Sequence, residues 1–206
     1  MNRTFLILLM IGTALMVAVI GSRETHDTID TMPWHIQVVD NGYTRIFGIT
    51  LGKTNIQDAH QILAHFSETR LYTVNNKIEL QAHFDEFSLG GLLAEIDLIY
   101  DIPETLLIEL QQHAMDSEQG EYQILNDDLL MNLLTTPIKQ LIYNPSIDYD
   151  SDIITQRFGL PESSETVNDT VEKLNYPDIG LVIYLNTKGP EKFIYSQLAT
   201  AFPSKN

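Results

Sequence analysis

Cysteine is absent from the 206 residues. That excludes disulfides, thiolate zinc sites, a cysteine nucleophile and the lipid-carrying cysteine of an exported lipoprotein, and it leaves the redox compartment open. Basic residues are scarce: 12 Lys and Arg stand against 28 Asp and Glu, a formal net charge of −16. Such a surface repels phosphate backbones and anionic headgroups, so neither nucleic acid nor a polybasic membrane mode is an expected partner. Basic partners and cations stay compatible with it, and a solvated acidic face is the simplest use of the charge.

The motifs of several chemistries are missing as well. There is no Walker or dinucleotide loop, no G-x-S-x-G, and no H-E-x-x-H or H-x-x-x-H pair. His60 and His65 share one helical segment, but a spacing of five turns them about 140° apart. His35, His83 and His113 are isolated in sequence. Ser88, in FSLGG, reads as a turn residue, and Asp85-Glu86 and Asp127-Asp128 are adjacent acids without a catalytic spacing of their own. Asp148, Asp150 and Asp152 open like a calcium loop, yet Ile153 and Gly159 stand where that loop needs Gly and Glu. Capping of the following helix is their expected use, with a loose cation site as the alternative. No catalytic residue, metal or cofactor is assigned, and an enzyme is not expected.

A long uncharged run is present at residues 5–21 (FLILLMIGTALMVAVIG), preceded by Arg3. It is about long enough for a transmembrane helix, and the positive-inside rule directs the remainder outward. A retained anchor in the inner membrane with a periplasmic C-terminal domain is the expectation; cleavage after Gly21, giving a secreted periplasmic protein, is the alternative. Residues 22–32 are polar and read as a linker.

Hydrophobic periodicity then divides the chain twice. Strands are expected over 34–39 and 43–49, a helix over 52–66 with a Thr54–Gln57 capping box, and strands over 70–74, 77–87 and 92–102. A helix opening at Pro103, a short one over 126–134 and a strand over 138–143 complete a first unit, 33–144. The second, 145–206, begins with a helix whose stripe is Ile153, Ile154 and Phe158, closed by a left-handed Gly159 and by Pro161. Residues 162–169 read as a polar, mobile loop, and strands are expected over 171–176, 179–186 and 192–198. Trp34 is assigned to the core, with a membrane-interface position as its alternative.

The segment RFG-L-P followed by KLNYP, GLVIYLN and FIYSQ resembles the C-terminal half of small envelope proteins of the outer-membrane assembly lipoprotein (BamE, SmpA/OmlA) type. FGITLGKTNIQDAHQIL is similar to that family's opening helix, so the chain looks like a tandem of the unit, as in the beta-lactamase-inhibitor-like fold, without the lipidated cysteine. The resemblance implies a non-catalytic protein-binding module of the cell envelope.

The fold class expected is therefore α+β: an N-terminal transmembrane helix and two helix-plus-antiparallel-sheet units. The function expected is a membrane-anchored extracytoplasmic interaction protein. It would dock to a protein partner in the envelope or inner membrane through a sheet face bearing Tyr176, Tyr184, Phe193 and Tyr195. The alternative is a carboxylate hydrolase acting on the cell wall or another extracytoplasmic substrate.

Overall fold

The structure, a computed structural model, describes residues 32–39, 42–74, 77–118 and 120–198. Three short strands, β1 (Gln37–Val39), β2 (Tyr43–Ile46) and β3 (Ile49–Thr50), form one antiparallel sheet. The second sheet takes β4 (Glu68–Val74), β5 (Lys77–Leu89), β6 (Leu92–Tyr100), β7 (Met115–Asp116), β8 (Gln123–Ile124), β9 (Ile138–Pro145), β10 (Ser163–Asn168), β11 (Val171–Tyr176), β12 (Leu181–Asn186) and β13 (Lys192–Ser196). Its ten strands run in the order β10-β11-β12-β13-β9-β6-β5-β4-β8-β7. Four helices accompany it: α1 (Ile56–Leu63), α2 (Glu104–His113), α3 (Asp127–Leu133) and α4 (Ser151–Phe158).

Each described half of the chain follows one order: a helix, then a meander that ends on an inner strand. The last strands of the two meanders, β9 and β13, pair with each other, Phe193 opposite Tyr143 and Tyr195 opposite Leu141. This corrects the expectation of two helix-plus-sheet units. The described residues form one compact unit, mostly β, with one large sheet running through both halves. The physical reason is that β9, an inner strand of mixed polarity, has partners on both sides, and neither half closes its own sheet.

The expected anchor at 5–21 lies outside the described residues, as does most of the 22–32 linker. Among the described residues no helix is long and apolar enough to cross a membrane. A single-pass inner-membrane protein, with its membrane and signal-anchor attributes and a periplasmic domain, is therefore not supported, and that placement is withdrawn.

Period-2 alternation explains the packing. Tyr176, Leu181, Tyr195, Leu141, Leu98 and Ala82 lie opposite one another across six strands, and all are buried. The helices bury Ile56, Ala59, Leu63, Leu107, Leu133 and Ile154 in the same cluster. One residue along, the opposite face carries Asn175, Val182, Ile194, Ile142, Asp97, His83 and Glu68 in register.

Local chemistry sets the element ends. Asn126 and Asp150 cap α3 and α4, accepting from Leu129 N–H at 3.0 Å and Ile153 N–H at 2.7 Å. At α1 the cap is Asn55, which accepts from Asp58 N–H at 2.8 Å, and not Thr54, whose hydroxyl accepts from Thr50 N–H at 2.9 Å. The expected box is displaced because the first turn is tied elsewhere: Gln57 N–H donates to Leu134 C=O and Ile138 N–H to Thr54 C=O. Residues 163–168, read as a mobile loop, form the edge strand β10; every one of its residues is exposed, so no apolar alternation announces it. Trp34 packs partly buried against the core, with the Arg157 guanidinium 4.4 Å from its ring centre.

Candidate functional site

Two surfaces concentrate chemistry: the sheet face turned away from the core, and a cleft beside the start of α4. On the first, Lys173, Tyr184 and Lys192 stand opposite one another on β11, β12 and β13. Lys173 faces Glu165 at 3.8 Å, while Lys192 is exposed. Val171, Tyr184, Asn186, Pro190, Lys192 and Ile194 line a shallow groove of about 420 Å³ here. In a chain with a net charge of −16, Lys192 and the Glu165-paired Lys173 set basic groups on both sides of a half-buried tyrosine.

Further along the same face His83 and Asp97 are cross-strand partners, Nδ1 to Oδ1 2.6 Å, with side chains only 10% and 15% exposed. Asn144 approaches the other carboxylate oxygen, Nδ2 to Oδ2 3.5 Å. Pairing two largely desolvated polar side chains satisfies both at mid-sheet. Sequence spacing placed His83 alone; the pair is visible only once the β5–β6 register is known.

The four aromatic residues proposed for a partner-binding face are divided by strand parity. Tyr176, Phe193 and Tyr195 are buried on the core side, which corrects their assignment to an exposed face; only Tyr184 is turned outward. Phe193 packs on Tyr143, Tyr149 and Phe158. The Tyr195 hydroxyl donates to the Pro33 carbonyl at 2.8 Å, and its complete burial holds its pKa well above the usual tyrosine value.

His60 also gains a partner that sequence did not suggest. Its Nε2 lies 2.8 Å from Ser67 Oγ and 3.4 Å from Ser67 N, closing the turn between α1 and β4, and burial lowers its pKa. An imidazole bonded to a serine hydroxyl is half of a nucleophile–base arrangement. The other half is missing: among the described residues no carboxylate is hydrogen-bonded to the His60 ring. His65 lies edge-on to Phe87, Ser88 is exposed near the β5–β6 turn, and Asp85 and Glu86 are exposed at a bulge between Phe84 and Phe87.

The second surface is a cleft of about 570 Å³ whose lining includes Asp148, Tyr149, Asp150, Glu172, Lys188 and Glu191. Asp150 caps α4, as expected of it, while Asp148, Asp150 and Glu172 are exposed around the cleft. Glu191 is different: it is 3% exposed, and its Oε2 has no hydrogen-bond partner. Burial pushes its pKa up; the backbone N–H groups of Glu191 and Tyr149 pull the other way, and the negative charge of Asp148 adds to the rise. The Tyr149 hydroxyl is also buried and lies beside the Tyr143 hydroxyl. Among the described residues no three His, Asp or Glu side chains converge as a metal site would require.

A carboxyl whose folded pKa is raised favours folding most when protonated. Its contribution is complete below the ordinary value of 4.5 and is lost as pH rises through the folded value. Glu191→Gln is therefore expected to melt higher than the wild type at pH 7, by about 2–4 °C, the shift that ~1 kcal/mol gives in a chain of this size. The difference should vanish near pH 4. Melting curves of both proteins at the two pH values check this; equal curves at pH 7 would remove the buried-charge account.

No protein-family profile, curated protein or solved structure matches this chain.

Proposed function

We propose that this protein is an interaction module that docks to a partner protein through the outward face of its sheet, centred on Tyr184. One observation carries the reading. Val182, Tyr184 and Ile194 stay partly exposed on adjacent strands beside Lys173 and Lys192, while residues of opposite parity on the same strands are sealed in the core. Partly exposed aliphatic and aromatic side chains grouped on rigid strands suit a preformed docking surface.

A photoreactive benzoylphenylalanine placed at 184 in the full chain, in the cells that make the protein, tests this. Irradiation should give discrete adducts from 184 and none from the same group at Asp128, on the exposed side of α3. Ile194→Asp, which places a charge on the patch without touching the core, should abolish them. Identical adducts from 184 and 128, or none from 184, would sink the proposal.

A second reading, a carboxylate hydrolase, has one observation in its favour: the raised Glu191 close to Asp148. A general acid must reach the substrate, however, and Glu191 Oε2 is shut off from solvent. The docking reading is therefore preferred.

A further inference from the structure

The ten-stranded sheet ends on an open edge. β10 is its outermost strand on one side, bonded to β11 alone, and every one of its six residues is exposed. The outermost strand on the other side, β7, is only two residues long. An antiparallel ladder uses the N–H and C=O groups of alternate residues, so the remaining backbone groups of β10 point away from β11. Among the described residues no other segment bonds to them. Edge strands are ordinarily blunted by lysine, proline or a bulge. β10 (SSETVN) contains neither lysine nor proline, and its bulge, between Thr166 and Asn168, leaves a regular open stretch over 163–166.

The charge along this edge decides which strand fits it. Residues 162–176 carry Glu162, Glu165, Asp169 and Glu172, all exposed, against Lys173, which already lies 3.8 Å from Glu165. A second copy of the chain, β10 against β10, would bring the same acids to the same line, between two bodies of net charge −16. An acidic strand from elsewhere is opposed in the same way. A strand with lysine or arginine at alternate positions has the complementary sign. Its backbone would extend the ladder, which is sequence-tolerant, and its side chains supply the selectivity. Those turned to the core side pass Thr166 toward a hollow of about 320 Å³ whose lining includes Asp169, Glu172 and Leu185, the latter two in register with Thr166 on β11 and β12.

We propose that β10 is a site of strand addition, at which an extended basic segment of another protein pairs with residues 163–166 as a further strand of the sheet. The edge lies two strands away from Tyr184, and failure here leaves the docking reading of that face standing.

The test is titration of the full chain with the peptide Lys-Val-Lys-Thr-Lys-Val-amide, rhodamine-labelled at its N-terminus, read by fluorescence anisotropy, with amide hydrogen exchange over 163–166 as the positional readout. Saturable binding and slowed exchange over 163–166 are expected. The same peptide methylated on its four central backbone nitrogens keeps its charge but cannot pair, and should bind about tenfold more weakly or worse, ~1.4 kcal/mol. Glu165→Lys combined with Thr166→Lys, both at exposed positions, should weaken the parent peptide by a similar factor with the circular dichroism spectrum unchanged. The proposal is overturned if nothing saturates, if binding leaves exchange over 163–166 unaltered, or if the methylated peptide, or one with Glu in place of each Lys, binds as the parent does. It is equally overturned if sedimentation shows a dimer that the two lysines dissolve, which would give the edge to a second copy.

Discussion

Phe193→Ala is expected to lower the stability of the fold by about 3–5 kcal/mol, the range for emptying a fully buried phenylalanine site. The residue is 0% exposed, and its ring lies 5.3 Å from Tyr149, 5.6 Å from Phe158 and 5.7 Å from Tyr143, so β9, α4 and the loop between them lose a common filler at once. Total stabilities of about 5–15 kcal/mol make this a large fraction of the whole. At roughly 2–4 °C per kcal/mol, the melting temperature should fall by roughly 6–20 °C. Tyr184→Ala, on the same sheet but outward, should stay within about 1 kcal/mol of the wild type. Calorimetry on the two variants separates core from face. Equal losses would mean that strand parity in β12 and β13 is assigned wrongly.

Gly180→Ala should come next, at about 2–4 kcal/mol. Gly180 has φ +66, where an alanine is strained by about 1–2 kcal/mol, and its added methyl would overlap the backbone carbonyl of Ser196 and crowd the Thr44 hydroxyl. The neighbourhood cannot yield cheaply. Thr44 Oγ1 donates to that same carbonyl at 2.8 Å, and Ser196 N–H donates to Gly180 C=O at 2.8 Å, so β2, the β11–β12 turn and β13 are pinned at one point. Gly91→Ala is the control: its φ is +85, but nothing lies within 4 Å of the added atom. Only the conformational part should be lost there. If urea midpoints fall equally in both, close packing around Gly180 contributes nothing.

Much of the element order was legible because apolar spacing and turn residues mark it. The Gly90-Gly91 hairpin, the Asp150 cap and the alternation of LVIYLN carry their structure in a few neighbouring residues. What failed was long-range. Nothing local in Ile138–Pro145 says that β13 lies on one side and β6 on the other, so two separate units looked as natural as one sheet. The same limit governed the candidate sites. Tyr184 and Tyr195 have the same chemistry, and only the register, Tyr184 opposite Lys192 and Tyr195 opposite Leu141, decides which is turned outward. Glu191 follows a Lys-Gly-Pro turn, where an acid ordinarily faces water; it is instead buried, its carboxyl bonded to the Tyr149 backbone, a contact its own neighbours do not encode.

The pairing of β9 with β13 has a consequence for synthesis. Translation delivers β9 at residues 138–145 and β13 only at residues 192–196, so a nascent chain carries a half-built sheet whose inner edge is bare until β13 is made. Bare edges recruit strands from other chains. Premature termination or slow elongation ahead of residue 192 would therefore release a sticky intermediate rather than a smaller folded protein, and the cell has reason to complete every copy it starts.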